Sequence, residues 1–137
     1  MIEKSQSAME YYTIVALALI ILIPLSIYVY QLLYQYGDDT KISLAKDAVK
    51  ELGETADWVF SQGPSAKRTL KIYVPDDVHN ISFENNMILF EVNTSVGVSD
   101  ISYETVPSLN GSLPTTRGYY LVSLTAYANY VNITVVE

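Results

Sequence analysis

The chain contains no cysteine, a single histidine and only eight basic residues against fifteen acidic ones. Without cysteine there is no disulfide scaffold, no thiolate zinc site and no thiol nucleophile. The lone histidine, His79, argues against a histidine-rich metal site. With no G-x-S-x-G elbow, the serines also lack the partners of a catalytic triad. Asp76 and Asp77 beside His79 read as turn residues, and no D-x-D-x-D-G calcium loop is present. A net charge of −7 with no basic stripe excludes nucleic acid as a natural partner. The expectation is a protein without enzymatic activity, catalytic residue, metal or cofactor.

Charge is missing altogether from residues 11–37, where 21 of the 27 side chains are apolar. About 20 such residues span a ~30 Å hydrocarbon layer as a helix. Tyr11 and Tyr12 stand at one end, and Tyr28, Tyr30, Tyr34 and Tyr36 gather at the other, at the depths that amphipathic rings prefer. Pro24 removes one backbone donor and is expected to kink this helix without ending it. A cleaved secretory signal has a shorter apolar core of about 7–15 residues and a small-x-small site after it. A buried core helix would need a larger domain around it than this chain supplies. The segment therefore reads as a retained membrane helix. Lys4 precedes it and Asp38 and Asp39 follow it, which leaves the remainder of the chain outside the cell.

Glu10 lies one residue before the uncharged run, in Lys4-Ser5-Gln6-Ser7-Ala8-Met9-Glu10-Tyr11. A carboxylate at the start of a helix is favoured by the helix dipole. Held near hydrocarbon it is costly unless it is paired. A short basic leader, then Gln-Ser-Ala-x-Glu-Tyr and a long apolar helix, resembles the class III signal peptide of archaeal type IV pilin-like proteins. The family's common pattern has serine where this chain has Ala8, and leucine where it has Ile14. The resemblance implies that a prepilin-type peptidase cuts between Ser5 and Gln6, with Lys4 and Ser5 as the basic and small residues before the cut. It further implies that Gln6, Ser7, Ala8 and Glu10 belong to the processing and assembly motif. Glu10 would become residue five of the mature chain, paired with the new amine on Gln6 of its own or a neighbouring subunit.

Other expectations follow from the same resemblance. The subunit would be stored in membrane lipid and then polymerise with identical or related pilin subunits, using an assembly ATPase and a membrane platform protein. Its locations would be the cell membrane, single-pass with the head outside, and an extracellular filament used in adhesion. The alternative is a membrane-anchored pilin-like surface protein, a minor pilin or ligand-binding adhesin, that does not polymerise by itself. A membrane-anchored hydrolase lacks catalytic groups.

Beyond the span, Gly37-Asp38-Asp39-Thr40 interrupts the apolar run with a flexible residue and three N-cap candidates. An amphipathic helix follows: Ile42, Ala45, Val49, Leu52, Ala56 and Val59 fall on one face. Lys50 and Glu54 form an i,i+4 pair. Gly53 weakens the helix, and Gly63-Pro64 stops it. The stripe covers too few heptads for a coiled coil, so it is expected to pack against strands. The period changes to two from Arg68 onward. Strands are expected at Leu70, Ile72 and Val74, at residues 78–83 and 87–92 flanking an Asn85-Asn86 turn, and near 98–105, 119–126 and 130–136. Tyr119, Tyr120, Tyr127 and Tyr130 read as strand packing, with any exposed ones available for a subunit or ligand contact.

The fold class is thus α+β: a long N-terminal apolar helix continuing into an amphipathic helix, then a small antiparallel β-sandwich or sheet head. The divisions are a leader at 1–5, a membrane or filament-core helix at 6–36, an amphipathic helix at 37–63 and a β-rich head at 64–137. Gly111-Ser-Leu-Pro-Thr-Thr and Tyr130-Val-Asn-Ile-Thr134 also resemble segments of archaeal pilin-like heads. Four Asn-x-Ser/Thr sequons, at Asn80, Asn93, Asn110 and Asn132, exceed the roughly one expected by chance, and all lie on the outside part. They make this a candidate glycoprotein.

Overall fold

A computed structural model describes residues 2–136, with nothing described of the Ile2 side chain. One helix, α1 (Ile2–Gln62), is followed by seven strands. The chain divides into two compact units between Gly37 and Asp38.

The N-terminal unit is helix alone. Pro24 lies inside it, so the Ile20 carbonyl loses its usual donor. Thr13 and Ser26 turn their hydroxyls back onto the carbonyls of Met9 and Leu22, at 2.7 and 2.9 Å. That keeps two polar groups satisfied within an apolar helix.

No cap forms at Gly37–Thr40, and α1 passes through without a break. The Asp38 carboxylate accepts hydrogen bonds from the amide and hydroxyl of Ser95 instead of capping a new helix. A glycine inside a helix costs only about 1 kcal/mol, too little to end one anchored at the next turn. Lys41, one turn of helix on, pairs with Asp77. The stop at Gly63 is as expected. Gly63 takes φ 100° and donates to the Phe60 carbonyl at 3.2 Å, a left-handed helix end that glycine adopts without strain.

Strands β1 (Lys67–Val74), β2 (Val78–Glu84), β3 (Met87–Thr94), β4 (Gly97–Glu104), β5 (Ser108–Gly111), β6 (Gly118–Ala126) and β7 (Tyr130–Val135) form two sheets. One has the order β1-β6-β7-β5 and the other β2-β3-β4. All pairings are antiparallel except β5 with β7, which is parallel. The short strand β5 falls outside the alternating pattern from which the other strands were expected. The Asn85-Asn86 turn joins β2 to β3 as expected, with Asn85 at φ 52°.

The head has one core, to which α1 and both sheets contribute. Ala45, Ala48, Val49, Leu52, Ala56 and Val59 from α1 are buried with Ile72, Val122, Leu124, Val131 and Ile133 of the larger sheet. Ile88, Phe90, Val92 and Ile101 of the smaller sheet complete it. The helical stripe thus packs on strands, with Ile42 half-buried at its margin. Gly53 has a structural reason to be glycine: a Cβ there would lie 2.1 Å from Cδ1 of Tyr103 on β4.

Candidate functional site

The first candidate site is the surface of α1 between Lys4 and Tyr36. Every large apolar side chain from Met9 to Tyr36 is exposed, and this stretch is long and apolar enough to cross a membrane. Left in water, that many large apolar side chains would cost on the order of tens of kcal/mol, and soluble proteins rarely expose such a patch. Lys4, Ser5, Gln6, Ser7, Ala8 and Glu10 are all helical and exposed. The Ser5–Gln6 bond therefore sits within the first turns of α1. Gln6, Met9, Glu10, Thr13 and Ile14 line one shallow groove. Gln6 and Glu10, four residues apart, are neighbours along that face at about 5–6 Å between Cβ atoms.

The second candidate region is the head. Asn80, Asn93 and Asn110 are exposed, whereas Asn132 is half-buried on β7 between β6 and β5. Asn110 and Asn132 are register partners across the parallel pair. This pairing brings together the two head segments singled out in the sequence, and Gly111 permits it. Its φ is 145°, and a Cβ there would meet the Ile133 carbonyl oxygen at 2.1 Å. A shallow pocket lies between Gly111, Ser112, Leu113 and Pro114 on one side and the Asn132–Val135 stretch on the other.

His79 is exposed and occupies the extra position of a bulge between β2 and β3. Among the described residues no group of three or more histidine, aspartate or glutamate side chains is arranged to hold a metal. Asp76 and Asp77 do sit in the β1–β2 turn, Asp77 at φ 60°, and each also forms an ion pair. Asp77 meets Lys41, and Asp76 meets Arg117 at 3.1 Å. The hydrogen bond to Asp77 raises the Lys41 ammonium above its ordinary range. The Ser95 hydroxyl lowers the Asp38 carboxyl below its own.

The four tyrosines divide between the two roles expected of them, packing and exposure. Only Tyr120 is half-buried against the core, while Tyr119, Tyr127 and Tyr130 are exposed. Tyr73 and Tyr119 lie 4.8 Å apart, Tyr127 and Tyr130 stack at 4.9 Å, and the Lys71 ammonium sits 4.7 Å above the Tyr119 ring. Arg117 donates to the Tyr73 hydroxyl at 3.2 Å. Sequence reasoning missed this cluster because Tyr73, Arg117 and Tyr119 meet only through the β1–β6 register.

Charge is segregated between the sheets. The four-stranded sheet carries Lys67, Arg68 and Lys71 and no acid, and the three-stranded sheet carries Glu84, Glu91, Asp100 and Glu104 and no lysine or arginine.

Compared with family models, curated proteins and solved structures, the chain matches none of them.

Proposed function

We propose that this chain is the structural subunit of an extracellular filament of the archaeal type IV pilus kind. The observation that carries the reading is an exposed apolar helical surface from Met9 to Tyr36, preceded by the Lys4–Glu10 motif and followed by a separately cored head. A helix of this composition needs either lipid or other helices around it. A subunit that is first stored in the membrane and then packed into a bundle uses both in turn.

Processing by a prepilin-type peptidase between Ser5 and Gln6 would leave the whole apolar surface on the mature chain. The new amine on Gln6 would lie beside Glu10 in the groove they share. Neutralising this carboxylate within an apolar bundle removes a penalty of about 3–5 kcal/mol for leaving one partner alone. Glu10 thereby sets the register of an incoming subunit. Identical or related subunits, an assembly ATPase and a membrane platform protein are the partners of this reading.

The exposed Tyr127–Tyr130 pair favours a second reading, in which the head of an anchored, non-polymerising protein contacts a ligand or another cell. Two measurements decide. N-terminal mass spectrometry should find a mature chain beginning at Gln6 with residues 14–33 retained. Glu10→Ala should be cleaved normally yet yield at least tenfold fewer filaments. Wild-type filament yield from that variant would remove the register role.

A further inference from the structure

We infer that the end of the head where the chain leaves the apolar segment docks on the lipid surface, with the β3–β4 turn seated in the headgroup layer. The inference deepens the proposed function and rests on its membrane-stored stage.

Chain length brings this end to the membrane. As a helix, the 27 uncharged residues from 11 to 37 cover about 40 Å, enough for the hydrocarbon core and both headgroup layers. Asp38 therefore emerges at headgroup level. Two turns of the head are fastened at this point of α1. The Ser95 amide donates to the Asp38 carboxylate at 3.2 Å, and the Ser95 hydroxyl donates beside it. Lys41, one helical turn on, pairs with Asp77 in the β1–β2 turn. The β3–β4 turn is thus held at the point of exit.

That turn presents apolar side chains where turn chemistry calls for polar ones. Thr94 pairs with Gly97, which leaves Ser95 and Val96 as the two central residues. The Thr94 hydroxyl closes the turn by donating to the Gly97 carbonyl at 2.8 Å. Two-residue hairpin turns favour asparagine, aspartate and glycine, so valine has no local reason to stand there. Val96 is 95% exposed, and Val98, two residues on, is 57% exposed. An exposed aromatic joins them at the same end. Tyr119 stands opposite Tyr73, and Arg117 donates both to the Tyr73 hydroxyl and to Asp76 of the β1–β2 turn. Tyrosine beside a long cationic side chain suits a membrane–water interface.

Lipid is the occupant because the span itself brings lipid to this turn. Seating Val96 at the boundary of headgroups and acyl chains removes apolar surface from water without a second protein. Charge does not select the occupant. Asp38, Asp76 and Asp77 are engaged by Ser95, Arg117 and Lys41, and the exposed Asp39 gives this end no attraction for anionic lipid. The contact is therefore apolar and interfacial, and it should persist in high salt. One sequon bears on it. Asn93 is exposed on β3 opposite Val98, so the seated turn requires Asn93 to carry no glycan.

The absence of cysteine makes single thiols clean probes. Full-length Val96→Cys, Gln62→Cys and Leu22→Cys chains each receive a polarity-sensitive fluorophore and are reconstituted sparsely in phosphatidylcholine vesicles. The vesicles contain lipids spin-labelled either at the headgroup or deep in the acyl chain. Gln62 closes the other end of the head's helix, and Leu22 lies within the uncharged run. Docking predicts that headgroup spin labels quench the Val96 label at least threefold more than the Gln62 label, equally in low and high salt. Val98→Asp added to the Val96→Cys chain should cut that excess at least twofold. Equal quenching of the two labels overturns the inference. So does a Val96 label that is shielded only when chains are crowded, which would show a second copy covering the turn. Peptide mapping that finds Asn93 glycosylated in most native chains overturns it as well. Deep quenching of the Leu22 label with none at Val96 would overturn the docking and leave the membrane stage standing. Quenching at Val96 without deep quenching at Leu22 would do the reverse.

Discussion

Replacing Gly53 by alanine should destabilise the head, although helix propensity alone argues the opposite. Alanine is favoured over glycine in a helix interior by about 1 kcal/mol. The added methyl, however, would sit 2.1 Å from Cδ1, 2.3 Å from Cε1 and 2.8 Å from Cγ of Tyr103. Ordinary carbon contacts begin near 3.5 Å, so ring and helix would have to separate by more than ~1 Å. The clash is with the body of the ring on β4, not with a flexible tip. Overpacking of this kind costs about 1–3 kcal/mol. Subtracting the propensity gain leaves a net loss of about 0–2 kcal/mol, and 1 kcal/mol corresponds to roughly 4–8 °C in Tm for a unit of this size. Thermal and urea unfolding of the full chain in detergent, followed by circular dichroism, measures it. The decisive comparison is a double-mutant cycle. In a Tyr103→Ala background the clash is gone, and Gly53→Ala should raise stability by up to about 1 kcal/mol. If Gly53→Ala stabilises both backgrounds equally, Tyr103 does not lie over the helix at Gly53, and the packing of β4 on α1 is wrong.

Gly111→Ala should be harsher, because a side chain at φ 145° would also meet the Ile133 carbonyl. A loss of about 3 kcal/mol or more, with faster amide exchange along β5 and β7, is expected in the same unfolding and exchange experiments. The Asp38–Ser95 contact gives a pH dependence. A carboxyl whose folded pKa is lowered contributes stability above its unfolded value near 4, and that contribution is lost as pH falls through the lower folded value. The Ser95 amide should therefore begin to lose protection below about pH 4 in wild type and show no such step in Asp38→Ala, as read by hydrogen exchange. Intact-mass measurement of protein from its native cells should show glycan at some of the exposed sequons Asn80, Asn93 and Asn110, and none at half-buried Asn132. A mass equal to the bare polypeptide contradicts that expectation.

What was legible in the sequence was local. The stripe from Ile42 to Val59 and the alternation at Leu70, Ile72 and Val74 each report a period that burial later uses. The Asn85-Asn86 turn is legible for the same reason, since two residues suffice to specify it. What was hidden depends on residues far apart in the chain. Asp38 looks like a helix cap until Ser95 is brought to it. Gly53 looks like a defect until Tyr103 packs there. Strand β5 has too short an apolar pattern to announce itself, and its parallel partner β7 begins only after β6 has intervened. The separation of charge between the sheets follows from strand order, which no local pattern encodes. The Lys4–Glu10 motif was readable directly, and the fold adds that Gln6 and Glu10 share one helical groove.

On the proposed function, the apolar helix serves first as membrane anchor and then as polymer core. Shearing the surface of cells that express the chain, then imaging the released material by cryo-electron microscopy with mass analysis of its subunits, tests this most directly. The expected material is filaments built from chains that begin at Gln6, with residues 14–33 packed helix against helix at the centre and the heads outside. A chain that stays wholly in the membrane fraction, or filaments whose subunits lack residues 14–33, would contradict it.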